Sequence, residues 1–127
     1  PHHLVASFKS TLEVVSEADM LLIVMDGSSD WAEHQLQTVN EVLKDLATAK
    51  APRLLVFNKM DRVSDPFERK RLSVAFPHAV FVSAFNDTEM LMLKKHIADS
   101  IAIVNKERAM ADIIAHTTSE FDQNNIQ

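Results

Sequence analysis

Arg53-Leu54-Leu55-Val56-Phe57-Asn58-Lys59-Met60-Asp61 is a short apolar run that stops at once in a polar N-K-x-D sequence. Such a run is too short for a buried helix and reads as a strand covered on both faces, as in a parallel sheet. The same grammar recurs on either side. Upstream, Met20 to Met25 (MLLIVM) ends in Asp26-Gly27-Ser28-Ser29-Asp30, which is turn and helix-capping chemistry. Downstream, Ala79 to Val82 (AVFV) opens into Ser83. Between the runs, Leu36, Val39, Leu43 and Leu46 recur at steps of three and four, predicting a helix from Trp31 to Ala47 broken at Lys50-Ala51-Pro52. Asp65-Pro66 read as N-cap and first helical residue of a weaker helix ending before Pro77. Leu4, Val5, Phe8, Leu12 and Val15 predict an amphipathic helix before the first strand. Met90, Leu93, Ile97, Ile101 and Val104 predict another, starting near Asp87 or Thr88, whose pattern decays after Asn105.

Strands alternating with helices predict an α/β fold: three parallel strands, right-handed crossovers, helices on both faces, and ligands at the carboxyl ends of the strands. Residues 1–104 read as one unit, and residues 105–127 as a helical extension or polar tail.

Composition bounds the function. The 127 residues include one glycine, Gly27. Phosphate-cradling loops need at least two, because backbone must approach phosphate with no side chain in the way. With no cysteine, the chain has no disulfide scaffold, thiol nucleophile or thiolate zinc site. A net charge of −5 argues against a strongly electrostatic grip on nucleic acid. No apolar run approaches the length of a membrane span, so a soluble, cytoplasmic protein is expected. The chain opens on Pro1 rather than methionine, and is expected to be a piece of a longer polypeptide.

The N-K-x-D sequence carries the sharpest chemistry. Guanine presents two donors side by side, a ring N–H and an exocyclic amine, and a carboxylate such as Asp61 accepts both in a charge-assisted pair. Adenine would set an unprotonated nitrogen against that carboxylate and leave a charge unpaired. Lys59 can lay its stem along the base with its ammonium in water. Asn58 can tie loops together and reach the base's acceptor edge. Ser83 and Ala84, at the next strand exit, can offer backbone N–H groups to the guanine carbonyl.

From Pro1 to about Ile101 the chain resembles the second half of the guanine-nucleotide domain of HflX-type GTPases. The resemblance rests on Pro1-His2-His3-Leu4-Val5-Ala6-Ser7-Phe8-Lys9-Ser10-Thr11-Leu12-Glu13, on Ala18-Asp19 with the strand ending at Asp26, and on the N-K-x-D and Ser-Ala motifs. It implies a partial P-loop GTPase-like fold lacking the phosphate-binding half, with GTP or GDP contacted by Asn58, Lys59, Asp61, Ser83 and Ala84. It further implies a parent that hydrolyses GTP, binds Mg²⁺ and associates with the large ribosomal subunit. The family's phosphate loop, magnesium-binding threonine and D-x-x-G sequence lie upstream of the matched stretch, so this chain alone is expected to be inactive and to bind no metal. Phe85-Asn86-Asp87-Thr88-Glu89 departs from the glycine-containing loop that follows Ser-Ala in the family.

Other features read as structure. Asp26 lacks the preceding acidic pair of a phospho-accepting receiver domain, and His2-His3 lack a third ligand. Arg69-Lys70-Arg71 and Lys94-Lys95-His96 read as solvated helix faces, and Met90, Met92 and Met110 as core and interface filler. A second functional reading stays open: a non-catalytic α/β interaction module that keeps the fold and binds no nucleotide. In either case the free edge of strand 20–25 is expected to be covered by another chain or a swapped element.

Overall fold

The computed structural model describes residues 6–7, 10, 12–45 and 51–124. After a 3-10 helix, Glu13–Glu17, the order is β1 (Leu21–Asp26), α1 (Ala32–Lys44), β2 (Arg53–Asn58), a 3-10 turn (Met60–Arg62), α2 (Pro66–Ala75), β3 (Val80–Phe81) and α3 (Asp87–Asn124). The strands form one parallel sheet in the order β1-β2-β3. This α/β architecture agrees with the expected part of a P-loop GTPase-like fold. Leu4, Val5 and Phe8 of the expected first helix, and Leu46 at the end of the second, lie outside the described residues.

Alternation along the strands sorts side chains onto two faces. Met25, Phe57, Ile23, Leu55 and Phe81 pack against Ala32 and Leu36 of α1 and Leu72 of α2. Phe57 is fully buried and anchors this face, its ring stacked on Phe81 at 5.3 Å and tilted against Phe76 at 5.1 Å. On the opposite face, Leu54, Val56 and Val82 pack against Leu93, with Met90 and Ile97 beside it, all from α3. Each fully buried aliphatic side chain here contributes about 1.5–3 kcal/mol. The expected helices on both faces are thus present.

One expectation about β1 fails. Its continuous apolar run predicts cover on both faces, yet Leu22 and Val24 are 43% and 56% exposed. By register they sit beside Leu54 and Val56, which α3 covers. In the described residues nothing comparable covers β1 on that side.

The last helix also differs from its pattern. The core-facing periodicity fades after Val104, the last buried residue, but the backbone continues as one helix of 38 residues to Asn124. Arg108 meets Asp19 at 2.8 Å where α3 passes the start of β1. From residue 105 to 123 every side chain is exposed.

Candidate functional site

The parallel register places the exits of all three strands on one rim. Asp26 is level with Asn58, and the N–H of Gly27 donates to the Asn58 carbonyl at 2.8 Å. The N–H of Met60 donates to the Val82 carbonyl at 3.2 Å, joining the second and third exits. Every sequence-derived candidate therefore lies on this rim.

Lys59 makes the turn after β2. Its φ of 63° and ψ of 30° put it in the left-handed region, the one described non-glycine residue with positive φ. A lysine there is strained, and such strain persists where the surroundings hold it. Here its ammonium meets the Asp26 carboxylate at 3.0 Å. The Ser28 hydroxyl, at 2.6 Å, and then Lys59 hold the Asp26 carboxyl at about 2, well below its ordinary 3.8. Asp26 thus stays charged and pins the strained lysine.

Asp61 follows in the 3-10 turn, exposed to solvent, with the buried Ser83 hydroxyl donating to its Oδ1 at 2.7 Å. Asn58 reaches the same loop from the other side, its Oδ1 accepting from the Ala84 N–H at 3.0 Å. Two side chains of the N-K-x-D motif therefore clamp the Ser83-Ala84 loop. The remaining Asp61 oxygen is oriented by this clamp and offers a negatively charged acceptor at the rim.

The loop that departs from a glycine-rich pattern is held by its substitutes. Asn86 caps α3, its Oδ1 accepting from the N–H groups of Thr88 and Glu89 at 3.1 and 3.2 Å. Glu89 Oε2 accepts the Ser83 N–H at 2.6 Å. Ser83 is therefore not offering its backbone N–H outward, and the Ala84 N–H is engaged by Asn58. The two backbone N–H groups expected to face a base carbonyl thus each have a side-chain acceptor in this geometry.

Three supporting residues were not legible beforehand. Asp26 contacts Lys59 across 33 residues of sequence, visible only once the two strand exits are known to be adjacent. Glu89 is marked only by its closeness to the Ser-Ala pair. Arg69 donates to the Val63 carbonyl at 2.7 Å and to the Met60 carbonyl, fastening the turn that carries Asp61. Phe85, 87% exposed, stands beside the loop as a free aromatic face. No group of three His, Cys, Asp or Glu side chains that could hold a metal ion gathers among the described residues. No described helix is long and apolar enough to cross a membrane.

Comparison with known proteins finds no matching family profile. Among curated proteins the chain is 45% identical over 84 residues to the GTPase HflX of Gluconacetobacter diazotrophicus, covering 66% of this chain and 18% of that protein. It is 37% identical over 102 residues to the GTPase HflX of Alkalihalophilus pseudofirmus, covering 80% and 23%. It is 38% identical over 86 residues to the GTPase HflX of Escherichia coli, covering 66% and 20%. The chain thus spans about a fifth of the length of these relatives.

Proposed function

Over most of its length the chain is an HflX-type GTPase sequence, and on that premise we propose that it forms the base-recognition part of a guanine-nucleotide site. The observation that carries this reading is the clamp of Asp61 on Ser83 and of Asn58 on Ala84, at 2.7 and 3.0 Å. It holds the Asp61 carboxylate fixed at the rim, where its two oxygens would accept the two adjacent donors of guanine together, Oδ1 while also accepting the Ser83 hydroxyl. Asn58 and the Ser83-Ala84 loop would bound the base edge. The Lys59 stem would lie along one ring face, with its ammonium kept in place by Asp26.

The parent protein would bind and hydrolyse GTP in the cytoplasm, with Mg²⁺ and the phosphates held by residues outside this chain, and would act on the large ribosomal subunit. This chain supplies selectivity rather than chemistry, because phosphoryl transfer rests on phosphate positioning and charge neutralisation. Fused to the preceding half of an HflX-type G domain, it should bind GDP in preference to ADP by isothermal titration. Asp61→Ala should weaken GDP by about 1.5–3 kcal/mol, roughly 10- to 150-fold. Asp61→Asn should move preference toward xanthine, whose second carbonyl can take the amide N–H. Equal affinity for GDP and ADP, or no loss on Asp61→Ala, would refute the reading.

A second reading is favoured by the bare face of β1. The exposed Leu22 and Val24, on the edge strand of the sheet formed by the described residues, suit a non-catalytic interaction module whose β1 is covered by another element or a second chain. Absence of chemical-shift change at Asn58 and Ser83 with millimolar GDP would favour this module.

A further inference from the structure

The outer half of α3 changes face. On an ideal helix, Leu93, Ile97 and Val104 share the side packed toward the sheet. Ile103, Met110, Ile114, Thr117 and Phe121 form a separate row, displaced by roughly a third of a turn. Their steps of seven, four, three and four residues are those of a heptad seam. Ile103, Met110, Ile113, Ile114 and Phe121 are each more than half exposed. A solvated helix would carry mostly polar residues in this row; here only Glu107 and Thr117 are polar, and among the described residues nothing covers it.

We propose that this row pairs antiparallel with the same row of a second copy of the chain. Charge and register select the occupant and the direction. Lys106, Ile113 and Glu120 stand seven residues apart along one flank of the row. In an antiparallel pair that flank meets itself, so Lys106 faces Glu120 of the other copy twice, with Ile113 against Ile113 at the two-fold axis. The seam then sets Ile103 on Phe121 and Met110 on Ile114. Glu107 falls opposite Thr117 in two symmetry-related polar layers. A parallel pair would set Glu107 against Glu107 inside the seam and leave Lys106 without an acid. Lys106 and Glu120 enter no ion pair among the described residues, so both are available.

Sedimentation of the 127-residue chain over a micromolar concentration series should show a monomer–dimer equilibrium, and Ile114→Lys should abolish it. Ile114 lies outside the globular contacts, so that variant should keep the near-ultraviolet signal of the buried aromatics. Lys106→Glu and Glu120→Lys should each weaken association several-fold, and the two together should restore it. The chain has no cysteine, which allows a direct test of direction. A short bis-maleimide should join Ile113→Cys chains to one another. It should fail on Ile103→Cys chains, whose sites would lie about 27 Å apart in the antiparallel pair. A monomer at every concentration, a dimer indifferent to Ile114→Lys, or preferential joining through Ile103→Cys would each overturn the proposal.

Discussion

Replacing Gly27 with alanine isolates the one place where backbone closeness at the rim can be measured. Gly27 is buried, and an added Cβ would stand 2.5 Å from Met60 Sδ, 3.1 Å from the Asn58 carbonyl oxygen and 3.4 Å from Phe57 Cβ. Its φ is not positive, so alanine meets no dihedral penalty. Restricting the unfolded chain would by itself stabilise by about 0.4–1 kcal/mol. Against this stands overpacking, which costs about 1–3 kcal/mol. Met60 is 3% exposed, so its side chain must repack within the core to yield, and the Asn58 oxygen belongs to β2. The overpacking should prevail, giving a net loss of about 1–2 kcal/mol. Met60→Ala alone should cost about 2–5 kcal/mol through the cavity it leaves. In the double variant the new methyl fills part of that cavity and meets no sulfur. The loss in the double variant should therefore fall short of the sum of the two single losses by more than about 1 kcal/mol. Guanidinium denaturation followed by circular dichroism, with unchanged m-values, reads all three. A neutral or stabilising Gly27→Ala, or additivity within about 0.5 kcal/mol, would refute the reasoning.

Two further outcomes are expected. Ser28→Ala and, to a smaller extent, Lys59→Ala should raise the Asp26 carboxyl from about 2 toward 3.8, read by carboxyl carbon NMR. Because the folded value is the lower one, the stabilisation from this group is fully present above the unfolded value and fades as pH falls through about 2; an unmoved titration in both variants would contradict the contacts. Asp65→Ala should cost about 1 kcal/mol and speed amide exchange at Phe67, whose N–H the Asp65 side chain accepts at 2.9 Å, and unchanged exchange there would count against the cap.

Period and punctuation made the sheet readable in advance. Three apolar runs, each stopped by polar residues, became β1, β2 and β3, and Asp65-Pro66 began α2 as capping chemistry requires. The N-K-x-D and Ser-Ala residues were readable as neighbours because parallel strands bring their exits together. What stayed hidden was set by the third dimension. An apolar run reports that a strand tolerates burial, not that a helix covers each face, so the exposure of Leu22 and Val24 could not be inferred. The left-handed turn at Lys59 is not advertised by a residue that prefers it. The continuation of α3 was masked because its apolar residues move to another face, which breaks the period without breaking the helix. Glu89 was marked only by its closeness to the Ser-Ala pair, while its carboxylate engages the Ser83 backbone.

That last contact gives α3 a mechanical meaning. One end of the helix is fastened to the Ser83 loop through Glu89 and Asn86, while the other stands clear of the folded body. At 1.5 Å per residue its 38 residues span about 57 Å. Packed on the sheet as far as Val104, the helix leaves its last 20 residues, about 30 Å, beyond that point, and a tilt of 5° there would carry the tip through about 2.6 Å. A small tilt of the outer half would thus become a displacement on the scale of a side chain.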